Sequence, residues 1–338
     1  MAWTTVFAAI ACFLPRSEAF LAAGPAARTV DREVPTAAAR RCATSIRTCP
    51  TRVGCKAGAT STRLSMSSSE ILEGDTVVIV GASGGIGRLV TQSLASTGKY
   101  KVRGLVRNLE KAKEALSPSA GGGGLEIELQ QGDILDETSL GEAMKGAACV
   151  VACTGTTAFP SMRWSGGNTP DAVDNLAVGN MLRAAAGSGS LKRFVLLSSV
   201  GVTRADKFPF VILNAFGVLD AKAKGEAAVR KAAEEGGFSY SIVRPGQIKG
   251  DPFLSYSKAG TKVVASDDPA KDAKASKSRM VSLQQGDSEA GDVNPSSVAE
   301  AFTQAVGQAA AAGKSYTVVN SPGDAPTQET WDTLFAKL

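Results

Sequence analysis

The chain has 338 residues, 43% of them hydrophobic and 20% charged, which is ample for a globular fold that buries about three-quarters of its unfolded surface. Its formal charge of +5 hints at an anionic partner until the charges are located: nine of the 37 Lys and Arg, but three of the 32 Asp and Glu, fall within residues 1–66, leaving 28 basic against 29 acidic residues beyond them. The folded part is therefore near neutral, and nucleic-acid binding has no electrostatic footprint.

Residues 1–19 open with MAWTTVFAAIACFLP, an apolar run of signal-peptide length that is about five residues too short to span a bilayer. Ser17 and Ala19 supply the small residues for cleavage between Ala19 and Phe20. Residues 20–66 are rich in Arg, Ala, Ser and Thr and poor in acids, the composition of an organelle transit peptide, with a second cleavage near Met66. Together they resemble the two-part leaders of algae with secondary plastids, which places the mature chain in the plastid stroma. An unstructured N-terminus or a plain secretory signal is the alternative. Cys12, Cys42, Cys49 and Cys55 lie in this leader, so only Cys149 and Cys153 remain. At i, i+4 on a strand their Cα atoms would be roughly 13 Å apart, too far for a disulfide. Both read as buried small apolar residues.

From Asp75 onward short β-branched runs alternate with helical patterns, the signature of βαβ units. The predicted fold is α/β, a doubly wound parallel sheet in one domain spanning 72–338, with a small C-terminal part covering the substrate. TVVIV (76–80) is the first strand and GASGGIG follows at once. Gly81, Gly84 and Gly87 form G-x-x-G-x-x-G at the mouth of the helix GRLVTQSLAST, the context a dinucleotide loop requires. Gly81 permits the tight turn, Gly84 lets backbone approach a pyrophosphate, and Gly87 lets helix and strand pack closely. Ser83, Gly85 and Ile86 complete the phosphate loop, whose helix N-terminus offers unpaired N–H groups. KVRGLV (101–106) is the second strand, and Arg107 stands at its end, where an acid would hold the ribose of NAD. A guanidinium suits the 2′-phosphate of NADP instead, with Arg88 and Arg103 as helpers, so NADP is the expected cofactor.

SPSAGGGG (117–124) is a flexible loop to which no function is assigned. LEIEL (125–129) is the third strand, after which Asp133 meets the adenine amino group, with Ile134 beside it. CVVAC (149–153) brings Thr154 and Gly155 toward the adenine ribose. RFVLLS (193–198) and YSIVR (240–244) follow, the latter closed by Pro245, another expected cofactor contact, and shorter runs lie near 280 and 316. Residues 245–294 form a lid or insertion region, of which 255–278 is polar and Lys-rich and reads equally as a lid or a solvated insertion. No stretch beyond the leader approaches the roughly 20 apolar residues of a transmembrane helix. The chain has no histidine, which excludes a Ser-His-Asp triad and histidine-ligated metals.

GASGGIG, GLVRN, GDILD, VDNLAVGNMLRAA, LKRFVLLSSVGV and YSIVRPG occur in the order found in the short-chain dehydrogenase/reductase superfamily, and the chain resembles its atypical, NmrA-like NAD(P)H-binding branch. FVILNAFGVLDAKAKGEAAV is similar to the dehydrogenase-like stromal subunits of the chloroplast inner-envelope translocon and their plant relatives. The Pro/Ser-rich tail by which the plant subunit binds a flavoprotein reductase has no counterpart here, so that partner is not expected. In the catalytic branches a Y-x-x-x-K pair shares one helix face; the lysine binds the nicotinamide ribose and the phenol exchanges a proton with the substrate. Aligning Lys222 and Glu226 on the family's K-x-x-x-E puts Val218 at the tyrosine position. The resemblance leaves Lys222 a ribose-binding role, with Lys224 the competing choice, and gives Ser198 and Ser199 the place of the polarising hydroxyl. Tyr256 is the one tyrosine outside the predicted strands that could replace the missing acid. Two functions stay open: an NADPH-dependent reductase of a small carbonyl or enone, or a non-catalytic NADP(H)-binding sensor or assembly factor for plastid membrane proteins. The partner is accordingly an unknown small molecule or a plastid protein, and the sequence does not give the oligomeric state.

Overall fold

A computed structural model of the chain describes residues 70–117, 125–249, 279–288 and 290–338. The leader, the glycines at 121–124, the segment 255–278 and Tyr256 lie outside the described residues.

The first strand, β1 (Thr76–Val80), faces two cores at once. Val77 and Ile79 enter one apolar cluster, Val78 and Val80 the other. Because both faces are covered, the strand reads as an unbroken apolar run instead of an alternating one. β2 (Lys101–Val106), β3 (Ile127–Gln131), β4 (Ala147–Ala152), β5 (Arg193–Leu197) and β6 (Ser239–Pro245) continue the sheet in parallel. β10 (Lys314–Ser321) adds parallel to β6, and β8 (Met280–Gln285) closes the edge antiparallel to β10. The order is β3-β2-β1-β4-β5-β6-β10-β8, while β7 (Gln247–Ile248) and β9 (Asp292–Val293) form a separate parallel pair.

Helices cover both faces, as a doubly wound sheet requires. Val90 and Leu94 of α1 (Gly85–Ser96) pack into the first core; α2 (Leu109–Ala115) follows β2, and α3 (Glu137–Ala143) sends Leu140 into the second core. A π-helical turn, Asp171–Leu176, runs directly into α4 (Ala177–Gly187), which packs beneath β4 and β5 through Met181. After the short α5 (Phe210–Leu213) comes α6 (Val218–Gly236), whose Val229 joins the second core. α7 (Pro295–Gly307) and α8 (Gln328–Ala336) return to the first core through Phe302, Trp331 and Phe335.

Two strands shift from their sequence expectation. β3 begins two residues later than LEIEL because its register against β2 pairs Ile127 with Val102 and carries the ladder to Gln131. β4 begins earlier, on two alanines that fit a position buried on both faces, and ends at Ala152. Cys149 is thus inside the strand and Cys153 just past it, both as free thiols. Burial pushes the Cys149 thiol up to about 12 and raises Cys153 as well, so neither is poised to ionise. Within the 245–294 segment, Met280–Gln285 belongs to the main sheet.

Candidate functional site

β1 sits between β2 and β4, the point where strand order reverses and a crevice opens above the strand ends. Gly81 leaves β1 with φ 81°, a left-handed conformation that side chains resist, and a Cβ there would lie 3.3 Å from the Cys153 carbonyl oxygen. Gly84 is the N-cap of α1 and no side chain caps that end, so the first-turn N–H groups of Gly85, Ile86 and Gly87 are open to an anion. Gly87 is the tightest position: an added Cβ would sit 2.1 Å from the Gly81 carbonyl oxygen. Ser83 is exposed at the loop tip, and Ile86 packs against the first core. Bare backbone, close approach and an uncapped helix end fit a dinucleotide pyrophosphate.

Arg107 is exposed at the end of β2. Arg103, expected to assist it, turns away: its guanidinium lies 2.9 Å from Glu128 and donates to the Ala143 and Lys145 carbonyls at the far end of α3. It therefore has no part in holding a phosphate, because strand alternation and a ready pair of carbonyl acceptors direct it elsewhere. Arg88 is buried in α1. Asp133 is half-buried and accepts the Leu135 N–H at 2.9 Å, a turn contact that occupies one carboxylate oxygen, while Ile134 packs on the second core. Pro245 is buried at the end of β6, where its carbonyl accepts the Val200 N–H.

Thr154 and Lys222 pack with Asp174, Val178, Leu196, Leu197 and Ser198 around a gap at the ends of β4 and β5 too small to hold a water molecule. The Lys222 ammonium is 2.8 Å from Asp174 Oδ1, and Asp174 Oδ2 accepts both the hydroxyl of Thr156 at 2.7 Å and its N–H at 3.2 Å. One carboxylate therefore ties the turn after β4 to the helix that carries Lys222. Gly155 lies between them; a Cβ there would stand 3.3 Å from Lys222 Nζ. Lys224, the competing lysine, is exposed and pairs with Asp171 at 3.2 Å. Asp174 escaped the sequence reading, although an acid on the buried face of VDNLAV, flanked by buried Val173 and Ala177, was a usable signal.

Val218 is the first residue of α6 and is 4% exposed, packed among Val200, Val202, Phe210 and Leu219. Ser198 donates its hydroxyl proton to Glu226 Oε1 at 2.6 Å, and Ser199 donates to the Val200 carbonyl at 3.1 Å. Glu226 also receives Arg244 through Nε at 2.8 Å and Nη2 at 2.6 Å, and Arg230 at 2.8 Å. Burial alone would raise the Glu226 carboxyl, but Arg244, Ser198 and Arg230 outweigh it and hold the group below the usual carboxylate range. This buried network clamps the ends of β5 and β6 to α6 one turn beyond Lys222.

Strand order, glycine cradle and crevice together define a dinucleotide-binding protein of the doubly wound class. The family model described as NAD(P)H-binding matches residues 81–283, and the chain belongs to that family. It is 31% identical over 184 residues to an uncharacterized chloroplastic protein of Arabidopsis thaliana, covering 52% of this chain and 60% of that one. It is 30% identical over 243 residues to Protein TIC 62, chloroplastic, of Oryza sativa subsp. japonica, covering 68% and 46% respectively. The chain thus spans about half the length of the curated relatives it matches. The oxidoreductase ylbE from Lactococcus lactis has the same fold, with a TM-score of 0.55 at 17% identity over 77% of this chain and 97% of that one. Among the described residues no helix is long and apolar enough to cross a membrane.

Proposed function

We propose that the chain binds NADP(H) in the plastid and signals cofactor state to a protein partner instead of turning over a substrate. Val218 carries this reading: where a phenol would exchange a proton, α6 presents a buried aliphatic side chain. The two nearby serines do not replace it, since each already donates its proton within the protein. Exposed Arg107 favours the 2′-phosphate of NADP over the bare ribose of NAD. The leader composition and the chloroplastic names of the relatives support the plastid.

Lys222 supports a second reading, an NADPH-dependent reductase of a small carbonyl or enone. Its ammonium has three N–H donors, one of them engaged by Asp174, so it retains donors for a ligand. When bound, the cofactor supplies hydride chemistry; the chain would contribute orientation and a hydrogen bond to the substrate oxygen. Stopped-flow absorbance of bound NADPH against plastid quinones, enals and ketones separates the two. Oxidation above the no-substrate rate, lost in Lys222→Ala while NADPH still binds, establishes the reductase, whereas silence across the panel favours the sensor.

A further inference from the structure

Lys222 faces Asp174, but its neighbour Ala221 lines a cavity of about 390 Å³, walled by the start of α6 and the chain between β4 and the π turn. That volume lies within the range of small-molecule sites, about 300–1,000 Å³. Its aromatic wall is built, not incidental. Trp164 and Phe216 stand at 84° with centroids 6.1 Å apart, and the indole N–H donates to Thr157 Oγ1, itself bonded to Ser161. The positive-φ glycines Gly166 and Gly167 turn the chain just beyond Trp164. Two rings near a right angle make a corner that can surround a cation on two sides.

The charges agree with the rings. Asp171, Asp220 and Lys224 line the cavity, and Lys224 is 3.2 Å from Asp171, so that pair is internally balanced. Asp220 is exposed, and its carboxylate has no partner among the described residues. One unpaired carboxylate therefore shares the cavity wall with the two rings.

The geometry points to a binding site for a substituted ammonium compound, its cationic head in the Trp164–Phe216 corner and opposite Asp220. The site is separate from the dinucleotide crevice and does not rest on the function proposed for it. Isothermal titration of the full chain with benzyltrimethylammonium chloride, and with sodium phenylacetate as the anionic counterpart, tests it. The cation binds with a Kd of about 1 mM or tighter, and phenylacetate at least about tenfold more weakly. Asp220→Asn and Trp164→Ala each weaken the cation at least about fivefold, and the exposed Asp220→Asn does so with melting temperature and NADPH affinity unchanged. Equal response to both probes, or unchanged cation affinity in Asp220→Asn, overturns the proposal. Cation binding without NADPH binding supports it and counts against the crevice alone.

Discussion

Asp174 holds Lys222 and Thr156 with the two oxygens of one carboxylate, at 2.8 and 2.7 Å. The pair is nearly closed to solvent, with side-chain exposures of 3% for Asp174 and 11% for Lys222. In Asp174→Asn the lysine loses its anchor and NADPH affinity falls about tenfold, roughly 1.4 kcal/mol. Lys222→Ala loses a similar amount. Because both act through one contact, the double variant falls little further in a fluorescence titration of NADPH; additive losses would mean that the two residues act independently.

Gly84 and Gly87 separate cofactor binding from folding. A Cβ at Gly87 collides with backbone at 2.1 Å, so Gly87→Ala forces α1 off β1 and costs about 2 kcal/mol or more in urea unfolding. At Gly84 an added Cβ would lie 3.2 Å from the Gly81 carbonyl oxygen, tight but short of a collision, and the residue is exposed, so Gly84→Ala lowers the urea midpoint far less than Gly87→Ala does. On the proposed reading its methyl group crowds the approach of the pyrophosphate, and NADPH binding drops.

On the proposed reading that Arg107 holds the 2′-phosphate, Arg107→Ala weakens NADPH about tenfold or more and leaves NADH unchanged. Calorimetric titration with both cofactors is the measurement. A parallel loss of both would place Arg107 elsewhere.

Glu226 makes the fold acid-sensitive. Its carboxyl is held below the usual range in the folded chain, so its stabilisation is complete above its unfolded value of about 4.3 and is lost as pH falls through the folded value. Glu226→Gln leaves Arg244, 3% exposed, without its counter-charge and costs about 3 kcal/mol or more near neutral pH. The gap between wild type and variant narrows below about pH 4, as followed by urea unfolding across pH.

The sequence revealed what is contiguous. Gly81, Gly84, Gly87 and Arg107 follow strands whose apolar runs are unmistakable, and the strand–turn–helix order gives each its place in the fold. Partnership across the fold was hidden: Asp174 is 48 residues from Lys222, and Ser198 is 28 from Glu226. Both serines were read as hydroxyls facing a substrate, since nothing in LLSSVG announces that a carboxylate from α6 waits at 2.6 Å. Arg103 looked like a phosphate ligand because it lies near Arg107 in the chain, yet strand alternation and the carbonyls ending α3 turned it away. Glu226 served the sequence reading only as a register mark, and in the fold it is the centre of a buried ion network.

The place of β1 between β2 and β4 also sets when the binding site can exist. Gly81 rests against the Cys153 carbonyl, more than 70 residues further along the chain, and Lys222 comes later still. A chain emerging from a ribosome with the glycine loop already exposed has no floor beneath that loop. Nascent fragments ending before β4 should therefore ignore the dinucleotide, and such non-local pairing makes maturation slow. Cofactor can therefore stabilise only chains long enough to carry both β1 and β4, which makes nucleotide binding a late event in folding and not an early guide.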